Sequence, residues 1–224
     1  MSPRPAMATL GGRFRLPRPA RHWTLRYILD RAQLLAWERL HPTAPWLVAG
    51  AVELLERRLH ASDLVVEFGS GRSTLWFARR VRRVVSVEHD PVWHDRVREQ
   101  LAAEGVRNVD YHLVCCERNG SGNGDGYVAA ATRSLDGALD LVLVDGIRRD
   151  ACALWALGQV RRGGLIVIDN ANRYLPHATR SPASVGERGV PPSALWREFA
   201  ASVSHWDQLW FSNGVTDTAV FVNT

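Results

Sequence analysis

The chain has 224 residues, 46% of them apolar and 23% charged, which is room for one sizeable α/β domain and too little for two ordinary ones. No stretch reaches the ~20 unbroken apolar residues of a membrane span, and no apolar signal-peptide core follows the basic start, so a cytoplasmic protein is expected. The net charge is +5 and every basic side chain is arginine, so no lysine can act as a general base or a Schiff-base amine.

Residues 1–40 read as a basic arm followed by a helix, and 41–224 as the main domain. Up to residue 31 the arm carries Arg4, Arg13, Arg15, Arg18, Arg21, Arg26 and Arg31 against Asp30 alone. Such a segment suits nucleic acid, a lipid surface or an acidic substrate, and equally a solvated terminus. Residues 22–40 predict one helix, with Trp23, Tyr27, Ile28, Leu34, Leu35 and Trp37 as its apolar side. "HPTAPWLVAGAVELLERRLH" predicts a second, with Thr43 as its cap and Pro45 in the first turn.

From there the pattern alternates. "LVVEF" is a buried strand and "STLWFARR" opens a helix. "VVSVEHD" is the next strand, and residues 91–104 are helical with Val92, Val97 and Leu101 facing inward. "VDYHLVC" is a third strand, and the glycine-rich residues 118–126 read as loop. "LDLVLVDG", a helix over 150–161, and "GGLIVIDN" complete the alternation. Near-continuous apolar strands separated by helices predict βαβ units and a parallel sheet, buried on both faces. Residues 171–192 are long and irregular, and such a loop in a compact domain suggests a lid. A helix over "SALWREFAASV" follows, and Asn213-Gly214 between two strand-like runs predicts a closing antiparallel hairpin. Cys115, Cys116 and Cys152 offer neither a disulfide framework nor a structural zinc set.

The ligand signals lie in "VVEFGSGRST". Open parallel sheets bind beyond the carboxyl ends of their strands. Gly69 and Gly71 let the backbone turn there and approach a ligand. Glu88, at the end of the second strand, suits a ribose diol. A dinucleotide fingerprint wants a third small residue where Thr74 stands, and Glu67 would repel a pyrophosphate while welcoming a cation. Charge therefore favours S-adenosylmethionine over NAD.

On "VVEFGSGRST", "VVSVEHD", "LDLVLVDG", "GGLIVIDN" and the hairpin, residues 45–224 resemble the class I S-adenosylmethionine-dependent methyltransferases. The resemblance implies a Rossmann-like α/β fold with a mostly parallel seven-stranded sheet, its last strand antiparallel between its neighbours. It implies that Glu67 faces the methionine amino end, that Gly69 and Gly71 pass under the cofactor, and that Glu88 holds the ribose. Ser73 in "GSGRST" is common in one bacterial O-methyltransferase-like branch, and Glu117 or nearby backbone is a candidate for adenine contacts. Asp145, Asp169 and Asn170 end the fourth and fifth strands; if those strands are neighbours, they form one rim of hard oxygen ligands suited to Mg²⁺. The set also resembles the Asp, Asp, Asn ligands of the catechol-type O-methyltransferases. Arg148 stands where those enzymes carry a lysine base, and could orient an anionic substrate instead. That leaves the base open among Asp145, Asp169, His89 and His177. The expected activity is O-methylation of a small-molecule hydroxyl acceptor. A nucleic-acid methyltransferase using the arm, an NAD-dependent reductase and a non-catalytic binding module stand as alternatives, and an oligomer is open through Trp196, Trp206 and Trp210.

Overall fold

The structure, a computed structural model, describes residues 23–115, 124–135 and 137–224. Arg4 to Arg21 of the arm, Cys116 and Glu117 fall outside the described residues. Seven strands form one sheet in the order β3-β2-β1-β4-β5-β7-β6. They are β1 (Leu64–Phe68), β2 (Arg83–Glu88), β3 (Val109–Leu113), β4 (Leu139–Val144), β5 (Val160–Asp169), β6 (Asp207–Ser212) and β7 (Asp217–Val222). The first five run parallel, and β7 lies antiparallel between β5 and β6. The direction of winding reverses between β1 and β4, which places a crevice beyond the carboxyl ends of those two strands.

Helices α1 (Leu25–Leu40), α2 (Ala49–Arg58), α3 (Arg72–Ala78), α4 (Pro91–Ala103), α5 (Gly124–Arg133), α6 (Arg149–Leu157) and α7 (Ala194–Ser202) cover the sheet. One face packs α5, α6 and α7 around Phe68, Tyr127, Trp196 and Phe199. The other packs α2 and α3 around Leu55, Trp76 and Phe77. All five β1 residues are buried, one of them Glu67. Burying its four apolar neighbours contributes ~1.5–3 kcal/mol each, which is what holds a carboxylate inside the sheet.

Several elements differ from the sequence expectation. Residues 41–48 turn rather than coil, because Pro42 and Pro45 interrupt them, and Thr43 does not cap α2. The N–H of Val48 instead donates to Thr218 Oγ1 at 3.1 Å, so β7 supplies the cap. Val92 faces solvent, and His94 takes the inward position, stacked on Tyr111 at 4.2 Å. The loop read over 118–126 gives way to α5 from Gly124, driven by buried Tyr127, Ala130 and Ala131 at helical spacing. In α1 the side facing the domain carries Tyr27, Asp30, Leu34 and Trp37, while Ile28 and Leu35 point outward.

Candidate functional site

The glycine turn after β1 is built by backbone contact. Gly69 has φ +92°, and a Cβ there would lie 2.6 Å from the amide nitrogen of Gly146, in the turn after β4. Only glycine allows these two turns to meet. Gly71 differs: a Cβ there would reach only the Trp93 ring, at 3.8 Å. The Trp93 indole N–H donates to Ser70 O at 2.7 Å, so α4 clamps the turn from outside.

Glu67 sits at the centre of this turn, with none of its surface exposed. Its Oε2 accepts from Thr74 Oγ1 at 2.6 Å and Ser86 Oγ at 2.8 Å. Thr74 Oγ1 in turn accepts the Gly71 N–H at 3.0 Å, which ties the start of α3 to the acid. The other oxygen, Oε1, is buried without a hydrogen-bond partner. Burial raises the carboxyl to about 7, against the opposing pull of the Ser73, Thr74 and Ser86 hydroxyls.

Glu88 is buried and fully engaged. Its Oε2 accepts the N–H and the hydroxyl of Ser70, each at 3.0 Å, and its Oε1 accepts the N–H groups of His89 and Asp90 at 2.7 and 2.8 Å. Ser70 Oγ also lies 2.5 Å from the Tyr111 hydroxyl. The acid therefore holds the glycine turn to β2, and a diol would have to displace the Ser70 hydroxyl.

At the opposite rim, β4 and β5 are neighbours, as the metal reading required. The Asp145 and Asn170 side chains converge on a residue that sequence reasoning missed, Arg149, while the Asp169 carboxylate turns to Thr218 and Asn170. The guanidinium of Arg149 donates to Asp145 Oδ1 at 2.7 Å and to Asn170 Oδ1 at 3.3 Å. It also donates to the backbone carbonyls of Asp145 and Asp169, each at 2.6 Å, and of Gly146 at 2.9 Å. Asp169 is itself occupied, accepting from Thr218 Oγ1 at 3.0 Å and from Asn170 Nδ2 at 2.8 Å. Asp145 lies in the turn after β4 and Arg149 opens α6, so the left-handed turn at Arg148 between them, which sequence spacing does not reveal, brings the pair together.

Among the described residues, no group of three or more His, Cys, Asp or Glu is placed to hold a metal ion. A divalent ion at this rim would compete with the guanidinium for Asp145 Oδ1 and Asn170 Oδ1. Burial raises Asp169 to about 7, and the charge of Asp145 adds to it. Burial raises Asp145 as well, against the lowering effect of Arg149, although 34% of its side chain stays exposed.

The remaining candidates lie apart. Arg148 caps α6 at φ +48°, a strained conformation for a side-chain-bearing residue, and is exposed. It lines a cavity of about 450 Å³ with Tyr174, Ser193 and Trp196. His177 does not reach the carboxylates; its ring stacks on Trp210 of edge strand β6 at 4.1 Å. The 171–192 segment is pinned rather than loose. Buried Asp217 accepts from Ser181 Oγ at 2.5 Å and from the Trp210 indole at 2.8 Å, and Asn172 Nδ2 donates to Pro182 O at 2.9 Å.

This strand order, with Glu67 one residue from the end of β1 and Glu88 ending β2 beside a glycine turn, is that of a Rossmann-like fold. Residues 66–171 match the family model described as "Methyltransferase domain". The fold is similar to that of the O-methyltransferase TomG from Streptomyces achromogenes in complex with SAM, at 20% identity and TM-score 0.53, covering 90% of this chain and 91% of that one. It is likewise similar to cofactor-bound Rv0187 from MTB, at 20% identity and TM-score 0.54, covering 87% and 89%. A 66-residue stretch is 41% identical to protein-L-isoaspartate O-methyltransferase from Methanoculleus marisnigri, and spans 30% of this chain and 30% of that relative's length.

Proposed function

We propose that the protein transfers a methyl group from S-adenosylmethionine to an oxygen of a small molecule. The observation that carries this reading is Glu67, an enclosed carboxylate with one oxygen left without a partner. A buried acceptor in that condition is unfavourable by about 1–3 kcal/mol, and a cationic guest relieves it. The cofactor brings an ammonium and a sulfonium, and supplies the methyl group as an electrophile when bound. A dinucleotide would bring a pyrophosphate to the same acidic turn, so charge speaks against the reductase alternative.

The chain's own tasks are then to bind, orient and exclude water. Glu67 receives the ammonium. Glu88 receives the ribose hydroxyls in place of the Ser70 hydroxyl. Gly69 and Gly146 keep the floor of the crevice free of side chains. Asp145, Asp169 and Asn170 form the acceptor-facing rim, held in shape by Arg149 without a divalent ion. Arg148, at the mouth of the neighbouring cavity, orients an acceptor with an anionic group. In-line displacement needs the partners aligned more than it needs new charge stabilised, so this rigid rim is the protein's main contribution.

Calorimetry with S-adenosylmethionine and with NAD tests the reading. Binding of the first, lost in Glu67→Gln, is expected. Binding of NAD in its place would overturn it.

A further inference from the structure

The first helix turns its greasy side the wrong way for a helix of a closed domain. Its inward face meets the domain through Trp37, packed on the α2–α3 core, and through Asp30, which lies 3.9 Å from Arg180. Its outward face carries Leu25, Ile28, Leu29, Leu35 and Leu40, with Trp23 just before it. Leu25 is 83% exposed, Leu40 77% and Leu29 63%, and no residue of the helix is buried. At 100° per residue these side chains lie on one side of the helix, with exposed Arg26 and Arg31 on the two edges and Arg39 among them in the last turn. An exposed apolar face of this kind on a folded protein marks an interaction surface.

We propose that the outward face of α1, with Arg26, Arg31 and Arg39, docks the protein on an anionic lipid surface. The pattern is that of a helix lying in the plane of a membrane: an apolar side entering the acyl boundary, cations at its edges, and an aromatic residue at one end. Charge selects this occupant over a second copy of the chain. Arg26, Arg31 and Arg39 are exposed on this face, and a two-fold pairing of α1 would set these charges against one another. Charge alone would also suit a nucleic acid, but phosphate binding leaves five exposed aliphatic side chains unburied. No described helix is long and apolar enough to cross a membrane, so the contact is peripheral. It lies outside the cofactor crevice and does not depend on the methyl-transfer reading.

The test is co-sedimentation of the full chain with phosphatidylcholine vesicles, with and without phosphatidylglycerol. Wild type is expected to bind the anionic vesicles at least about tenfold more than the neutral ones, and to be released by high salt. The Leu25→Glu/Leu29→Glu variant should lose about tenfold in binding while melting like wild type, since neither side chain is packed. Arg26→Glu/Arg31→Glu serves as a second variant and should lose binding too. Three results would overturn the proposal. One is no sedimentation with either vesicle. Another is sedimentation unchanged in the leucine variant, which would assign the contact to charge alone. The third is a wild-type dimer by light scattering that the leucine variant splits, with no vesicle binding, making this face a subunit interface.

Discussion

Replacing Glu67 by glutamine should make the protein more tolerant of alkaline pH and worse at holding its cofactor. In the unfolded chain this carboxyl titrates near 4.5, and in the fold burial raises it to about 7. Between those values the folded protein keeps a proton that the unfolded chain has released. Stability therefore falls as pH climbs through the window, and above about 7 the whole penalty is present. At ~1.4 kcal/mol per pKa unit, that penalty is about 3 kcal/mol. Glutamine has the same shape, can accept from Thr74 and Ser86, and does not titrate. Its amide nitrogen takes over the oxygen that has no partner, an offset of about 1–3 kcal/mol that is the same at every pH.

The clean readout is therefore the pH slope rather than a single melting point. The stability difference between variant and wild type should move by about 2–3 kcal/mol in the variant's favour from pH 5 to pH 8. For a chain of this size that is a relative shift of roughly 4–12 °C in melting temperature, measured without cofactor. Calorimetry on the same samples should show wild-type affinity for S-adenosylmethionine rising as pH passes through about 7. It should show a loss of about 10–100-fold in the variant at pH 8, with the pH dependence flattened. Parallel melting curves across this range would show that Glu67 is not the buried, half-protonated group described. An unchanged affinity would show that the cofactor ammonium binds elsewhere.

Gly69→Ala combines a positive φ with a Cβ 2.6 Å from the Gly146 amide, so it should destabilise by about 3 kcal/mol or more in chemical denaturation. A well-folded alanine variant would refute the contact of the two turns. Arg149→Met strips partners from Asp145, Asn170 and three carbonyls, and should cost about 2–4 kcal/mol of stability. Cofactor affinity and melting temperature of the wild type should not change when a chelator is added or Mg²⁺ supplied; a saturable stabilisation by the ion, lost in Asp169→Asn, would restore the metal. His177→Ala should leave cofactor affinity within about twofold, because its ring lies on Trp210 over the sheet edge, and a larger loss would place it at the site.

The sheet was legible because buried parallel strands have few ways to be written. "LVVEF", "LDLVLV" and "GGLIVID" are apolar on both faces, and Asn213-Gly214 left little choice for the last pair. Glu67 was legible for a related reason, since an acid inside such a run needs a special justification. What escaped were features set by contacts distant in sequence. The first turn of α5 runs through Gly124 and Gly126, residues with poor helix propensity, and is held by Tyr127 donating to Val87 O across the sheet at 3.0 Å. The cap of α2 comes from Thr218, 170 residues away. The orientation of α1 could not be read either, since its sequence offers apolar residues to both sides.

The rim shows most plainly why composition at strand ends underdetermines chemistry. Asp, Asp and Asn at neighbouring strand ends read as a cation site, and in the fold Asp145 and Asn170 each give one side-chain oxygen to Arg149 while the Asp169 carboxylate turns to Thr218. The sequence does not state which cation answers. A guanidinium on a neighbouring helix turn has a fixed fork of five N–H donors, and here all three nitrogens are used, on oxygens from both β4 and β5. It is covalently held, so its effective concentration at the site cannot be matched by a free ion in dilute solution. A metal would lower the pKa of a bound hydroxyl, whereas the guanidinium cannot ligate one; it can only set the shape and potential of the rim. With the guanidinium in place, acceptors that ionise without a Lewis acid, such as carboxylic acids or acidic phenols, are expected to react faster than simple alcohols. Screening the purified protein with S-adenosylmethionine against a matched benzoic acid, nitrophenol and benzyl alcohol reads that directly by product mass. Methylation of the alcohol, and not of the other two, would mean that the guanidinium is not the whole of the answer at this rim.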